Sequence, residues 1–207
     1  KSTVLSAVVL ASVVACSEDE TTSISVSRFE DTARDLDLSR GEYTCYGVDT
    51  TLGSFTVALD EKHAPISAEN FAQYVTEGFY QNVVFHNVVK DSFIQTGVYD
   101  TSLEAKALNT AVEAEASNGL KNYRGRLTMA PSSSAGTSAA SFFVNIQDNN
   151  NFDGVFTVFG GVVEGMDVVD TISEVQVSSR DGFDFLPNQN VIVNSVAEQS
   201  CPAVAES

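Results

Sequence analysis

Apolar residues alternate with polar ones at a period of two in several short stretches of this chain, a pattern typical of strands that turn one face to a core. In residues 54–59 the inward face is formed by Phe55, Val57 and Leu59. The other strands that we predict are residues 83–89, 126–130, 141–146, 156–163 and 190–196. Each is short, so a core of any size needs several of them to pack together.

Two longer stretches carry apolar residues at helical spacing. The first helix is expected at residues 65–78, with a proline near its start, Ser67 as its N-cap and Gly78 as its stop. The second is expected at residues 165–174. Their apolar stripes are Phe71, Tyr74 and Val75 in the first helix and Met166, Val169 and Ile172 in the second. Many short strands with only two helices predict a mainly β fold, a closed antiparallel barrel, and not an α/β sheet.

The alternation also predicts which side chains face away from the barrel core. On the strand at residues 141–146 the apolar row points inward, so the outward row is Ser141, Phe143 and Asn145. Residues 93–95 turn Phe93 and Gln95 outward in the same way. An aromatic ring between hydrogen-bonding groups is typical of the wall of a binding groove. The alternative is that both phenylalanines simply pack under a neighbouring loop.

The charge of the chain limits the kinds of partner that it can have. Of its 207 residues, 28 are Asp or Glu and 11 are Lys or Arg, which gives a formal net charge of −17. Nucleic acids are bound mainly through Lys and Arg contacts to phosphates, so we expect no nucleic-acid partner. Hydrophobic residues make up 43% of the chain, as in a folded globular protein.

The N-terminal residues have the features of a secretion signal. We interpret residues 1–15 as a signal peptide, with a basic Lys1 and an apolar run at residues 4–14 that is shorter than the ~17–25 residues of a membrane-spanning helix. The run ends in Val-Val-Ala-Cys, which resembles the lipobox of bacterial lipoproteins and implies cleavage before Cys16 and lipidation of that residue. The alternative is an ordinary cleaved signal followed by an incidental cysteine.

The remaining chain divides by composition into three parts. Residues 16–41 are acidic and polar, and we interpret them as a lipidated, flexible tether. Residues 42–200 form the folded domain, and residues 201–207 are a tail. A lipid anchor would hold the domain on a membrane of the bacterial cell envelope, facing the periplasm, and Ser17 after the cysteine favours the outer membrane.

Several motifs in the folded part occur together in one order and spacing. They are GFY at 78–80, FH at 85–86, Gln95, NGL at 118–120, RG at 124–125, MA at 129–130, FF at 142–143 and VFGGVVEGMDVVD at 158–170. As a set they resemble the signature of the cyclophilins, barrel-shaped peptidyl-prolyl cis-trans isomerases, over roughly residues 43–198. The resemblance implies a closed eight-stranded antiparallel barrel with an α-helix capping each end, and an isomerase that uses no cofactor and no metal.

The resemblance also implies which residues form the site. The catalytic residues are expected to be Asn87 and Gln95, with Asn87 in the position of the arginine in the family pattern Phe-His-Arg. The residues expected to bind substrate are Phe93, Ala130, Ser141, Phe143, Phe152 and Phe156. Hydrogen bonds from charged donors are roughly twice as strong as those from neutral ones. Replacing the arginine by a neutral donor should therefore lower the rate by a factor on the order of 10²–10³.

The partners implied are proline-containing unfolded or extended polypeptides and a membrane reached through the lipid anchor, with the protein acting as a monomer. One alternative function is a non-catalytic proline-peptide-binding chaperone or assembly module, which the loss of the arginine favours. Another is a structural envelope lipoprotein with a vestigial groove. Lys90 or Arg126 would be able to supply the donor that Asn87 lacks, and the residues alone do not decide this.

The remaining two cysteines are Cys45, near the start of the folded part, and Cys201, near its end. In cyclophilins the first and last strands are neighbours, so the resemblance implies a disulfide between these cysteines. Thiols of exported proteins often pair in this way. The alternative is two separate thiols.

Two histidines are the other candidates for chemistry. Alternation places His86 with Val84 and Val88 on the face opposite Asn87, so we expect a buried, hydrogen-bonded structural histidine. His63 lies in a polar turn before the first helix. With two histidines and three scattered cysteines, we expect no metal site.

Overall fold

The computed structural model of the chain describes residues 43–131 and 137–202, and these contain twelve β-strands and two α-helices. The predicted signal peptide, Cys16 and the tether at 16–41 lie outside the described residues. The strands are β1 Cys45–Thr50, β2 Gly53–Leu59, β3 Val83–Val84, β4 Asn87–Val89, β5 Phe93–Thr96, β6 Val112–Glu113, β7 Arg126–Pro131, β8 Thr137–Asn145, β9 Val158–Glu164, β10 Val177–Arg180, β11 Phe183–Pro187 and β12 Ile192–Gln199. The helices are α1 Pro65–Thr76 and α2 Met166–Ser173, and a short 3₁₀ turn spans Asn150–Phe152.

One curled antiparallel sheet forms most of the domain. Its strands pair in the order β3-β12-β1-β2-β9-β7-β8-β5-β4, with β6 as an additional partner of β8, while β10 and β11 form a separate hairpin. The fold is mainly β with two helices, as the pattern predicted. The closed eight-stranded barrel is not observed, because the path of paired strands has nine members and two open ends, at β3 and β4.

The strands at the two ends of the sheet, β3 and β4, follow each other directly in the chain. For this reason the structure has two strands where we predicted one. We predicted a single strand at residues 83–89, but pairing is interrupted at its middle. The amide of Phe85 donates to the carbonyl of Val191 at 2.9 Å, whereas the amide of the next residue, His86, donates to the carbonyl of Gln95 at 3.1 Å. The chain therefore changes neighbours, from the β12 side to β5, at the gap between the two ends.

The inward rows of the strands form one aromatic-rich core. Phe142 and Val144 of β8 are buried there, as the alternation predicted. Phe71 of α1 packs its ring against those of Tyr80 and Phe142 at centroid distances of 5.2 and 5.4 Å. Helix α1 contacts β8, β9 and β12, and α2 contacts β2, β4 and β5, so the two helices cover different parts of the sheet.

The start of α1 differs from the prediction. Its N-cap is Ala64, and Ser67 lies inside the first turn with its side chain buried, so the predicted N-cap is wrong. The free amides of the first turn are satisfied by Glu115, whose carboxylate accepts from the amides of Ile66 at 3.1 Å and Ser67 at 2.8 Å. A carboxylate at this position also complements the positive end of the helix dipole. The stop was predicted correctly, because the helix ends at Thr76 and Gly78 adopts a left-handed φ of 65°.

A disulfide joins Cys45 to Cys201, with their Cα atoms 5.1 Å apart. Cys45 begins β1, and its Cα partner on the neighbouring β12 is Gln199, two residues before Cys201. The antiparallel register of these two strands therefore brings the cysteines within bonding distance.

Neither helix in the described part of the chain is long and apolar enough to cross a membrane. With 12 and 8 residues, α1 and α2 have lengths of about 18 and 12 Å at 1.5 Å per residue. The hydrocarbon core of a bilayer is about 30 Å thick.

Candidate active site

Four phenylalanine rings meet on the outer face of the sheet, and we name them the aromatic cluster. Phe93 comes from β5, Phe143 from β8, Phe152 from the 3₁₀ turn and Phe156 from the loop after it. The ring centroids of Phe93 and Phe143 are 5.1 Å apart, and those of Phe152 and Phe156 are 5.2 Å apart. Phe143 contacts Phe152 at 5.7 Å and Phe156 at 5.9 Å, both edge to face, which is a favoured aromatic geometry.

The four rings are not equally accessible. Phe143 is only 4% exposed, because the rings of Phe152 and Phe156 pack against it, whereas the other three residues are half-buried. Phe143 therefore forms the floor of the cluster. Phe143 faces away from the core, as the alternation predicted. It also packs under a neighbouring loop, as the alternative stated.

Ala130, another predicted substrate-binding residue, does not belong to the aromatic cluster. It is buried at a register shift in β7, between Met129 and Pro131. Residues 132–136, which follow this strand, lie outside the described part of the chain. The role of Ala130 in substrate binding stays a prediction.

Beside the rings, three half-buried side chains form a directional series of hydrogen bonds, which we name the polar relay. Asn87 donates through Nδ2 to Oε1 of Gln95 at 2.9 Å, and Gln95 donates through Nε2 to the hydroxyl of Ser141 at 3.0 Å. Ser141 in turn donates to the carbonyl of Thr96 at 3.1 Å. Cα register pairs Asn87 with Gln95 and Gln95 with Phe143, so the relay and the aromatic cluster share one face of the sheet.

The side chains of the relay are electrically neutral, and the two cations that we considered as substitutes differ in their surroundings. Lys90 forms an ion pair with Glu174 at 2.8 Å, and this hydrogen bond and charge raise the pKa of the lysine. Arg126 is 1% exposed, so its guanidinium is buried and does not face the solvent over the relay.

Underneath the aromatic cluster, a buried network of amides holds the turn that carries Phe152. Asn149 donates through Nδ2 to Oδ1 of Asn145 at 2.7 Å and to the carbonyl of Ser92 at 3.0 Å. Asn145 donates to the hydroxyl of Thr128 at 3.1 Å. Asn145 faces away from the core, as predicted, but it is 0% exposed and therefore supports the groove from below instead of lining it. A fully satisfied buried network fixes one arrangement of the groups above it.

His86 was predicted to lie on the face opposite Asn87, and this stays a prediction. Both residues line one cavity of about 400 Å³. The histidine is buried, as expected, and its ring lies edge to face against Tyr99 at 4.8 Å. Burial lowers the pKa of His86 to about 4, while a backbone hydrogen bond with Val84 opposes the shift.

The opposite wall of this cavity comes from the β10–β11 hairpin, which the sequence reasoning missed. The signal was present as Asp181-Gly182, the dipeptide that favours a two-residue hairpin turn with positive φ at both positions. The structure has φ of 53° and 87° there, and Arg180 pairs directly with Phe183. Residues 182–185 then reach across to Asn87 and Phe93 and line the cavity with them.

Comparison with known proteins places these residues in a family context. Residues 45–198 match the family described as cyclophilin type peptidyl-prolyl cis-trans isomerase/CLD. The chain is 38% identical over 144 residues to peptidyl-prolyl cis-trans isomerase A of Dickeya dadantii, covering 67% of this chain and 76% of that protein. It is 40% identical over 145 residues to peptidyl-prolyl cis-trans isomerase B of Escherichia coli, covering 66% and 88%.

The fold is also similar to that of solved structures. A cyclophilin-type peptidyl-prolyl cis-trans isomerase of Cryptosporidium parvum superposes with a TM-score of 0.69 at 22% identity, covering 77% of this chain and 99% of that one. A structure of the same parasite protein in the presence of the dipeptide Ala-Pro superposes with a TM-score of 0.66 at 21% identity, covering 76% and 99%. At these identities the similarity concerns the fold alone.

Proposed function

The chain belongs to the cyclophilin-type peptidyl-prolyl cis-trans isomerase family, and from this premise we propose that it is a slow isomerase of proline-containing unfolded or extended polypeptides. The observation that carries the proposal is the placement of the aromatic cluster and the polar relay side by side on one exposed face of the sheet. An X-Pro substrate presents an apolar ring next to a polar amide, so it needs both kinds of surface at once.

The reaction requires binding and polarisation but no covalent chemistry. Rotation about a peptide bond costs ~18–20 kcal/mol because the carbon–nitrogen bond has partial double-bond character. In our proposal the proline ring lies against the accessible faces of Phe93, Phe152 and Phe156. A catalyst then has to bind the twisted amide more tightly than the planar one.

Asn87 is the donor that we propose for the twisted amide. A side-chain amide carries two N–H donors, and one of those on Nδ2 is used toward Gln95. The second N–H is available to the prolyl amide, and the bond to Gln95 fixes its direction. Because this donor is neutral, we expect a rate lower by a factor on the order of 10²–10³ than a charged donor would give.

A non-catalytic proline-peptide-binding module is the second candidate, and one observation favours it. Phe143, the floor of the cluster, is covered by Phe152 and Phe156, so the rings present a surface more readily than a deep pocket. Such a surface, next to a neutral relay, suffices for holding an extended segment without accelerating its isomerisation. The solved relative studied in the presence of Ala-Pro supports proline-peptide binding in both candidates.

Exchange NMR on a peptide with a single Ala-Pro bond tests these candidates. The purified protein is added in substoichiometric amount, and a peptide with Ala-Ala in the same place reports binding that does not depend on proline. Accelerated cis–trans exchange supports the isomerase. Proline-dependent binding without acceleration supports the binding module, and no binding leaves only the structural alternative.

For the cell, we propose a lipid-anchored protein of the bacterial envelope, facing the periplasm, with envelope proteins as its substrates. The support is the sequence of residues 1–16, with its apolar run and its Val-Val-Ala-Cys ending. The mass of the N-terminal peptide of the exported protein tests this directly. A diacylglycerol-modified Cys16 at the new N-terminus is expected, and an unmodified peptide would refute the anchor.

A further inference from the structure

The cavity between β4 and the β10–β11 hairpin, which we name the hairpin pocket, opens beside the proposed proline site. It shares Asn87 with the polar relay and Phe93 with the aromatic cluster. A polypeptide that places a proline on the rings therefore passes the mouth of a second cavity of about 400 Å³. That volume is large enough for one long side chain of the same segment.

The walls of the hairpin pocket are mostly aromatic. Phe183 and Tyr99 meet edge to face, with ring centroids 4.8 Å apart, and His86 contacts Phe183 at 5.9 Å. Phe185 is 43% exposed, so part of its apolar surface is open to a ligand. These faces are of the kind that bind planar or cationic groups as well as apolar ones.

The charge of the pocket is negative. Among its lining residues, Asp184 is the one carboxylate, and it is exposed on the same strand as Phe183 and Phe185. The other titratable groups of the lining are His86 and Tyr99. Burial keeps the histidine uncharged at neutral pH, so no lining cation opposes the carboxylate.

We propose that the hairpin pocket binds the side chain of an arginine that lies within a few residues of the proline in the substrate. The inference rests on the proposed function, because it names the class of peptide that the same groove prefers. A guanidinium stacks on aromatic faces and pairs with a carboxylate, and the pocket offers both. The formal net charge of −17 also favours the approach of a basic segment to the protein as a whole.

Citrulline provides a matched control for the arginine, since it keeps the length and planarity of the side chain but carries no charge. A peptide series with one Ala-Pro bond carries arginine or citrulline at each of three positions on either side of the proline. Affinities for the purified protein are measured by isothermal titration at low salt. Exposed ion pairs and cation–π contacts are individually modest, so we expect arginine to bind about fivefold more tightly at its best position.

Two variants of the hairpin locate the effect. Asp184→Asn removes the carboxylate of the pocket and should reduce the arginine-to-citrulline ratio to near one. Asp181→Asn removes the same charge from the turn of the same hairpin, where Asp181 pairs with Arg180 and does not line the pocket, and should leave the ratio unchanged. Asparagine tolerates the positive φ of this turn, so the control should fold.

The outcomes separate this inference from the proposed function. If proline peptides bind but arginine and citrulline are equal at all six positions, the pocket has no preference and the inference is wrong while the function stands. A preference that Asp181→Asn and Asp184→Asn reduce equally reflects only the overall charge and also overturns it. If no peptide binds in a proline-dependent way, the proposed function and the inference both fail.

Discussion

The aromatic cluster and the polar relay lie on the same face of the sheet, but they are built in different ways. The relay joins side chains of three strands through the register of the sheet itself. The cluster depends on a turn, Asn150–Phe152, that a buried amide network holds in place. The cluster supplies a large apolar surface, whereas the relay has hydrogen-bonding groups without charge. The surface that we propose for holding a proline and the group that we propose for polarising its amide are therefore separable, and each can be changed alone.

The largest effect should come from restoring a charge to the relay. Asn87→Arg should raise kcat/KM for an Ala-Pro peptide by a factor on the order of 10², because a charged donor stabilises the twisted amide more strongly. The peptide Kd should change little, since the aromatic surface is untouched. Asn87→Lys is the matched control, because it adds the same charge without the planar fork of the guanidinium. Equal gains from both variants would mean that charge alone, and not the geometry of the donor, limits the rate.

A smaller effect should come from lowering the pH, which should reduce the stability of the folded protein through His86 and leave the relay unaffected. Burial lowers the pKa of His86 to about 4, whereas in the unfolded chain the histidine has its ordinary pKa of about 6.5. Between these two pH values the unfolded chain binds a proton that the folded protein does not bind. The free energy of unfolding is therefore unaffected by His86 above pH 6.5 and declines as the pH falls from 6.5 toward 4. By pH 5 the free energy of unfolding should drop by about 2 kcal/mol, at about 1.4 kcal/mol per pH unit.

Urea unfolding at pH 7 and pH 5 measures this loss. In His86→Gln, the loss of unfolding free energy between pH 7 and pH 5 should be smaller by the share that is due to the histidine. His63→Gln serves as the control because His63 is partly exposed. The same pH dependence in all three proteins would show that His86 titrates normally.

The smallest of the three effects concerns the cluster. Phe152→Ala removes one half-buried ring and should weaken binding of an Ala-Pro peptide about tenfold, while the rate constant of the bound peptide stays nearly the same. Phe185→Ala, which removes a 43% exposed ring of the hairpin, is the control and should not alter binding of a peptide without basic residues. Unchanged affinity in Phe152→Ala would exclude the turn from the binding surface.

Local pattern predicted the parts of the fold that local forces decide. The inward rows of β8 and the glycine stop of α1 follow from the period of the strand and from the left-handed conformation that glycine allows. The start of α1 did not follow, because its amides are bonded by Glu115, 48 residues from Ser67. The change of strand partners at Phe85 and His86 likewise depends on which strands lie at the two ends of the sheet, and no local period encodes that.

The candidate site shows the same division. Period two predicted that Phe93, Gln95 and Phe143 share a face, and the structure brings them together. It did not show that Asn145 lies at 0% exposure under a turn, because burial by a loop depends on where that loop packs. The sequence analysis did not predict the hairpin pocket, although Asp181-Gly182 is a strong turn signal. The dipeptide predicts a hairpin, but the strand against which the hairpin packs is decided by the tertiary fold.

The disulfide between Cys45 and Cys201 has a mechanical consequence. It closes 156 residues of sequence separation into a covalent ring at the point where the chain enters and leaves the domain. A pull applied to the two ends is therefore borne by a sulfur–sulfur bond, and the hydrogen bonds between β1 and β12 carry no load. On the order of 500 Å of extended chain stays out of reach of such a force. A machine that draws the chain through a pore from either end has to accommodate two strands of polypeptide side by side.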